Sequence, residues 1–385
     1  MSGFTDRRAV GVAALTLSAV AGGVLLALPS GAAVPPAAPA TTAPAADGVP
    51  TVDLTPSFTS LPLTTAASTA PQRAVQVAAA KPQLPTFTRS FTYAKKKYGY
   101  RMVGVDPKLA RTVKVATTVT PLRLTFSDHS VVAPSSAAVK VVTSSGLFKP
   151  LAFPGGKGQY GDVFMRTQFW SDINKGKRAW HVTLAAPKVK SALSLTVPSG
   201  KAKAAKSPSG GVVHLVELDW FNSQLQRPVA AGAPAAFTQF LGGNIILCGS
   251  VADVSTCGIA GYHSGTGSSD GVRTYSYQSY LSSNVFGAKA KLYGIAPMTH
   301  ELAEWLADPW GNNRVPAWTE KSVPQYGCSQ VLEVGDPLVG KSLVIKGQPY
   351  QDEAYLSYFA RQKPSRAWAG RYSWFGNFKT YSSHC

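Results

Sequence analysis

The stretch MTHELAEWLADPWGNN, residues 298–313, decides how the rest of the chain is read. Pro297 suits the first turn of a helix, because the N–H it lacks would have no intrahelical partner. The residues from Thr299 to Asp308 are mostly adequate or good helix formers. The Asp308-Pro309 step ends the element, since proline disfavours helical geometry at the residue before it. The expected helix is about three turns long. On it His300 and Glu304 lie on one face, one turn apart, with Asp308 following on roughly the same face. Glu301 sits beside that stripe, while Leu302, Trp305 and Leu306 point into packing.

In the H-E-x-x-H signature of zinc hydrolases a second histidine would stand where this chain has Glu304. A catalytic zinc takes about three protein ligands and keeps one position open for water. The metal acidifies that water, and a neighbouring carboxylate removes its proton as it attacks a carbonyl. The pattern therefore assigns His300 and Glu304 as metal ligands and Glu301 as the general base. The third ligand is sought in Leu332-Glu-Val-Gly-Asp-Pro-Leu, where Glu333 is preferred and Asp336 is the alternate, or else a residue that supports the ligands or forms the turn. His263, in Gly-Tyr-His-Ser-Gly, is a further candidate. The expected cofactor is one divalent metal, zinc by preference. One imidazole with two carboxylates is a harder donor set than two imidazoles with one, which weakens the preference for zinc over manganese, iron or calcium. The competing reading is an ordinary amphipathic helix, its glutamates solvated or capping and His300 bonded in a polar cluster.

The remaining sequence sets the context. At 385 residues the chain has room for two domains and a sizeable core. Arg7 and Arg8, the apolar run from Ala9 to Leu28 and the small residues Ser30 to Ala33 have the layout of a secretory signal over residues 1–33; an uncleaved membrane anchor is the alternative. No later segment has an apolar run long enough to span a membrane, so no transmembrane span is expected once the signal is cleaved. The four cysteines, Cys248, Cys257, Cys328 and Cys385, suit an oxidising compartment and two bridges. Cys248–Cys257 is the economical local pair, which leaves Cys328 for Cys385. The expected location is extracellular, in solution or at the cell envelope.

Residues 34–84 are dominated by Ala, Pro, Thr and Ser and read as a disordered linker. The net charge of +19 is unevenly placed: residues 81–205 carry 21 basic and 4 acidic groups, whereas residues 206–385 carry 14 and 12. The basic segment, 85–205, contains Lys95-Lys96-Lys97 and the cluster Lys175, Lys177 and Arg178. In an exported protein such a segment fits anionic cell-wall polymer, acidic polysaccharide or lipid headgroups; no recognisable nucleic-acid fold motif accompanies it, and nucleic acid is not an expected partner. Arg111–Val119, Ala138–Thr143, Ala179–Leu184 and Ala192–Val197 read as strands, and SGKAKAAKSPSG, residues 199–210, as a connector between this segment and residues 206–385. Beyond it Gly211–Phe221, Asn244–Cys248 and Arg273–Tyr280 carry strand patterns. Gly265-Thr-Gly-Ser-Ser-Asp-Gly lacks the Lys-Ser/Thr of a phosphate loop and reads as a hairpin, and the absence of G-x-S-x-G argues against an α/β-hydrolase.

Several stretches resemble an uncharacterised group of secreted bacterial zincin-like proteins of metalloprotease type. They are Tyr160-Gly-Asp-Val-Phe-Met-Arg-Thr-Gln-Phe-Trp, Leu218-Asp-Trp-Phe-Asn, Gly261-Tyr-His-Ser, the 299–309 segment, Leu332-Glu-Val-Gly-Asp-Pro-Leu and Tyr355-Leu-Ser-Tyr-Phe. The His-Glu-Leu-Ala-Glu segment is also similar to one in plant phosphate-induced (Exordium-type) extracellular proteins. The resemblance spans roughly residues 155–378 and implies metal binding by His300, Glu304 and Glu333. The expected architecture is α+β, a β-rich N-terminal segment followed by a zincin-like domain with an active-site helix. The expected function is a secreted metal-dependent hydrolase acting on peptide or protein substrates. The alternative is a non-catalytic envelope protein that binds anionic polymers through its basic segment.

Overall fold

The computed structural model describes residues 49–61, 64–65, 84–231, 236–268, 271–380 and 383–385. The expected signal, 1–33, and most of the expected linker lie outside these residues. Among the described residues the first strand is β1 (Ser57–Ser60), with the hairpin β2 (Thr86–Tyr93) and β3 (Lys96–Val103), the long β4 (Thr117–Thr125), helices α1 (Ser136–Ser144) and α2 (Tyr160–Gln168), and β5 (His181–Leu184) further along. Then come β6 (Ala202–Lys206), β7 (Val212–Glu217), α3 (Leu218–Ala230), β8 (Phe237–Gly243), β9 (Ile245–Ser250), β10 (Asp253–Ser268), β11 (Gly271–Tyr280) and α4 (Ala296–Ala307). The chain is thus a mixed α+β structure.

One sheet organises it, in the order β4-β8-β11-β10-β9-β7-β6. The pairings β4–β8, β8–β11 and β7–β9 are parallel, and β11–β10, β10–β9 and β7–β6 antiparallel. The period of two in a strand sorts its side chains onto two faces. Tyr262, Tyr275 and Tyr277 fall on one face and pack with Phe221, Leu225 and Val229 of α3. The alternate positions face α4, where the Trp305 indole N–H donates to Thr274 Oγ1 at 2.9 Å and its ring stacks on Phe237 at 3.8 Å. The same alternation puts His263 on the α4 face. Helix α2, the β2–β3 hairpin and the C-terminal segment complete the core around α4.

Several expectations are corrected by this arrangement. Ala138–Thr143 is helical, not extended: the Ser135 hydroxyl caps the helix by accepting the Ala138 N–H, and Ala138 and Val142, four apart, are its buried face. Residues 199–210 do not form a connector, because Ala202–Lys206 is a strand against β7; its lysines mark it as an edge strand. The boundary expected between residues 205 and 206 therefore falls inside a strand, and the sheet itself joins β4 of the basic segment to β8 of the next. Finally, part of the expected linker is structured. Residues 57–60 pair in parallel with β10, and Leu54 and Phe58 are buried. Backbone pairing is largely indifferent to composition, so two apolar side chains suffice to seat a segment whose composition reads as disordered. The strand expected over Gly211–Phe221 stops at Glu217, where α3 begins.

Both expected cysteine pairs are bonded. Cys248–Cys257 links the neighbouring strands β9 and β10, and Cys328–Cys385 ties the C-terminus across a separation of 57 residues. Among the described residues no helix is long and apolar enough to cross a membrane.

Candidate metal centre

Helix α4 runs from Ala296 with Pro297 in its first turn and stops at Asp308. It differs from a surface amphipathic helix in one respect: all twelve of its residues are buried, including Thr299, His300, Glu301 and Glu304. The reading in which its glutamates are solvated is therefore excluded. Burying carboxylates away from water is costly unless something compensates their charge, and the compensation available here is incomplete.

His300 Nε2 lies 3.1 Å from Glu304 Oε1 and 3.5 Å from Asp336 Oδ1. These approaches lack hydrogen-bond geometry, and His300 Nε2, Asp336 Oδ1 and Glu304 Oε2 have no hydrogen-bond partner. On the other side of Glu304, His263 Nδ1 is 3.0 Å from Glu301 Oε2 and 3.8 Å from Glu304 Oε2. Two groups thus share Glu304: His300–Glu304–Asp336 and His263–Glu301–Glu304, each with ligand atoms within 4.8 Å of one another. Metal–ligand bonds of about 2.0–2.2 Å in a tetrahedron put neighbouring ligand atoms about 3.4 Å apart. The separations on the His300 side bracket that value.

Two glycines allow the elements to meet. A Cβ at Gly335 would sit 2.6 Å from His300 Nδ1, and one at Gly261 would sit 2.9 Å from Glu301 Cγ. The Glu-Val-Gly-Asp turn can therefore press against α4, with the Gly335 N–H donating to Glu304 Oε1 at 3.1 Å. Around this, Gln351 Nε2 donates to the Gly335 carbonyl and to His300 Nδ1, both at 2.9 Å. His263 Nε2 meets the Asp308 carbonyl at 3.0 Å and must carry the proton there, so that Nδ1 presents its lone pair toward Glu301. A metal-binding imidazole has this outer partner as a rule. Asp308 itself accepts from the Asn312 and Asn313 N–H groups, which fixes the turn after the helix.

Electrostatics follow from the burial. Desolvation, then the neighbouring carboxylates, push Glu301 well above the ordinary carboxylate range, and Glu304 and Glu333 behave likewise. Asp336 is also raised by desolvation, with the nearby His300 ring pulling the other way. Burial lowers His263 to about 3, so its ring is neutral. A proton on Glu301 can be donated to the His263 Nδ1 lone pair. Each extra negative charge here is resisted unless a proton or a cation accompanies it.

All of the residues expected at the site are close together, with their roles distributed unequally. His300, Glu304 and Asp336 share one group, Glu301 pairs with His263, and Glu333 sits beside Glu304 with one oxygen taken by the Ser60 hydroxyl and the other without a partner. Four further participants are not apparent in the sequence. Phe58 stacks on the His300 ring at 3.8 Å. The Tyr326 hydroxyl accepts the Phe58 N–H at 2.9 Å and also hydrogen-bonds Asp336. Gln351 holds His300, and Glu353, buried, accepts from Tyr160 at 2.6 Å with its second oxygen unpartnered. The acidic pair Asp352-Glu353 could have flagged the last; nothing in an Ala/Pro/Thr-rich tract marks Phe58. No family model, curated protein or solved structure matches this chain.

Proposed function

We propose that the protein is a metal-dependent hydrolase of zincin-like type acting on peptide bonds, with His300, Glu304 and Asp336 holding one divalent cation, zinc by preference. The observation that carries this reading is the set of unpartnered ligand atoms at ligand-to-ligand distances, in a pocket where several carboxylates already repel one another. A cation would offset that repulsion and use the orphaned oxygens. Glu333 is the alternate carboxylate, free to join once Ser60 lets go. With a neutral His300 the binding nitrogen is Nε2, and its proton moves to Nδ1, where Gln351 can turn its unpartnered Oε1 to accept it.

A bound divalent ion would acidify a water and polarise a carbonyl. The protein's own part is proton transfer. A cation beside it would offset the carboxylate repulsion that keeps the proton on Glu301. Glu301 would then be ionised, able to take a proton from that water and deliver it to the leaving amine.

Purified full-length protein should carry about one divalent ion per chain by elemental mass spectrometry, and should cleave an unstructured protein substrate in a chelator-sensitive way. Wild type that holds no metal and takes up neither zinc nor manganese would remove the basis of the proposal. The envelope-binding alternative predicts a different sensitivity, loss of binding to anionic polymer as salt is raised.

A further inference from the structure

The cluster on α4 is shut off by the chain's own N-terminal segment. Residues 261–263 of β10 pair with β11 on one side and with Phe58, Thr59 and Ser60 of β1 on the other. β1 is a short parallel strand laid on an otherwise open edge, the geometry by which sheets capture extended peptides. Several of its contacts fall on the candidate centre, while Leu54 and Phe58 also pack with Val213, Leu215 and Ile246 of the sheet. Phe58 covers the His300 ring, Ser60 donates to Glu333, the Phe58 N–H meets the Tyr326 hydroxyl that touches Asp336, and the Leu61 N–H bonds the His263 carbonyl at 3.0 Å. The strand β10 also makes room for the segment: a Cβ at Gly258 would lie 1.9 Å from the Thr55 carbonyl oxygen.

We propose that the slot held by Leu54–Leu61 is the substrate groove, that its ligand is an extended polypeptide with an aromatic residue over His300, and that this segment occupies it in cis as a pseudosubstrate. This rests on the hydrolase reading for its purpose, though not for its geometry. A substrate in the same register would pair its backbone with Gly261–His263 and bring a peptide group beside the cluster. The buried state of His300 is then the latent state, with Phe58 in the substrate's place. A peptide bond in this segment escapes hydrolysis while Ser60 engages Glu333 and Phe58 blocks the approach of water.

The test uses the full-length chain as wild type, Phe58→Ala and Ser60→Ala, each loaded with zinc. Hydrogen exchange of residues 57–60 is followed together with the rate at which a chelator strips the metal. Phe58→Ala should exchange faster at 57–60 and lose zinc about tenfold faster or more, Ser60→Ala less so. Excess synthetic LTPSFTSL, the sequence of residues 54–61, should restore slow loss in trans, and the same peptide with Ala in place of Phe should not. Ser60→Ala, which removes one hydroxyl, carries the comparison if Phe58→Ala does not fold. Faster exchange at 57–60 with unchanged zinc loss, or a peptide that neither slows loss nor protects the β10 amides 259–263, would overturn the proposal. If the chain takes no zinc, protection of those amides by the peptide still decides the groove, so the groove and the hydrolase reading fail separately.

Discussion

Asp352 and Glu304 are both fully withdrawn from solvent, and the difference between them separates a structural carboxylate from a functional one. Asp352 accepts from the N–H groups of Glu353, Phe375 and Asn377, from the Ser373 hydroxyl and from the Asn377 amide. Burial raises its proton affinity, and those donors offset part of the rise. The fold therefore supplies what an ionised carboxylate needs, and the donors tie the C-terminal turn to the body of the protein. Glu304 has one backbone donor, at Gly335, while its second oxygen faces His263 and Glu301 without a partner. The first carboxylate is complete within the chain. The second is complete only with a proton or a cation from outside it.

The strongest way to break this comparison is to remove the imidazole. His300→Ala should take metal content from about one ion per chain to none, because two carboxylates rarely hold a transition metal without an imidazole, while Asp352→Ala should leave it unchanged. Elemental analysis of both variants decides the matter. Retention of metal by His300→Ala would move the ion to the His263 side of Glu304.

Next is Glu301→Gln, which keeps size and helix propensity and removes the proton acceptor. Hydrolysis of an unstructured protein should fall by about two orders of magnitude or more with metal retained. Glu304→Gln should instead lose metal and activity together. Equal activity of wild type and Glu301→Gln would remove Glu301 from the proton path.

How much of this was legible in the sequence follows from the same contrast. The α4 helix, its two ends and the nearness of His300, Glu301 and Glu304 follow from local spacing and from proline chemistry. The pairing of the four cysteines follows from separation along the chain. Tertiary contacts that cross the sheet do not: the parity of β10 that turns His263 toward Glu301 depends on which face α4 covers. Asp336 rather than Glu333 stands nearest His300 because Gly335 lets the turn approach the ring and Ser60 draws Glu333 aside. The placement of β1 was least legible, since a strand held by backbone pairing and one aromatic ring has almost no compositional signature. The strand pattern of Ala138–Thr143 was overridden by a serine cap three residues before the helix's first buried alanine, a reminder that capping can outweigh β-branched content.

A smaller effect is expected at Asp352 itself. Asp352→Ala strands several buried donors, each of which costs about 1–3 kcal/mol when left unsatisfied, though relaxation and water entry recover part of this. Thermal or denaturant unfolding should show a loss of about 2–4 kcal/mol. Asp352→Asn, which keeps one acceptor, should lose less. A loss of metal in a variant that remains folded would contradict the division between the two carboxylates.

The smallest expected effect belongs to a pair that looks catalytic in outline and is not orphaned. His181 Nδ1 lies 2.9 Å from Asp162 Oδ2, a histidine–carboxylate contact like those around Glu304. Asp162, however, also accepts the Val182 N–H at 3.0 Å, and its imidazole partner is a third exposed, so water can satisfy what the fold does not. Its work is to join the start of α2 to β5. Asp162→Asn retains an oxygen for the Val182 N–H and removes only the charge facing a solvent-screened ring. Partly exposed ion pairs contribute about 0–1 kcal/mol, so unfolding should shift by no more than that, and metal content and hydrolysis should match wild type. A fall in hydrolysis at constant stability would show that a satisfied His–carboxylate pair takes part in the chemistry, and the absence of partners around Glu304 would then no longer serve to distinguish the functional carboxylates from the structural ones.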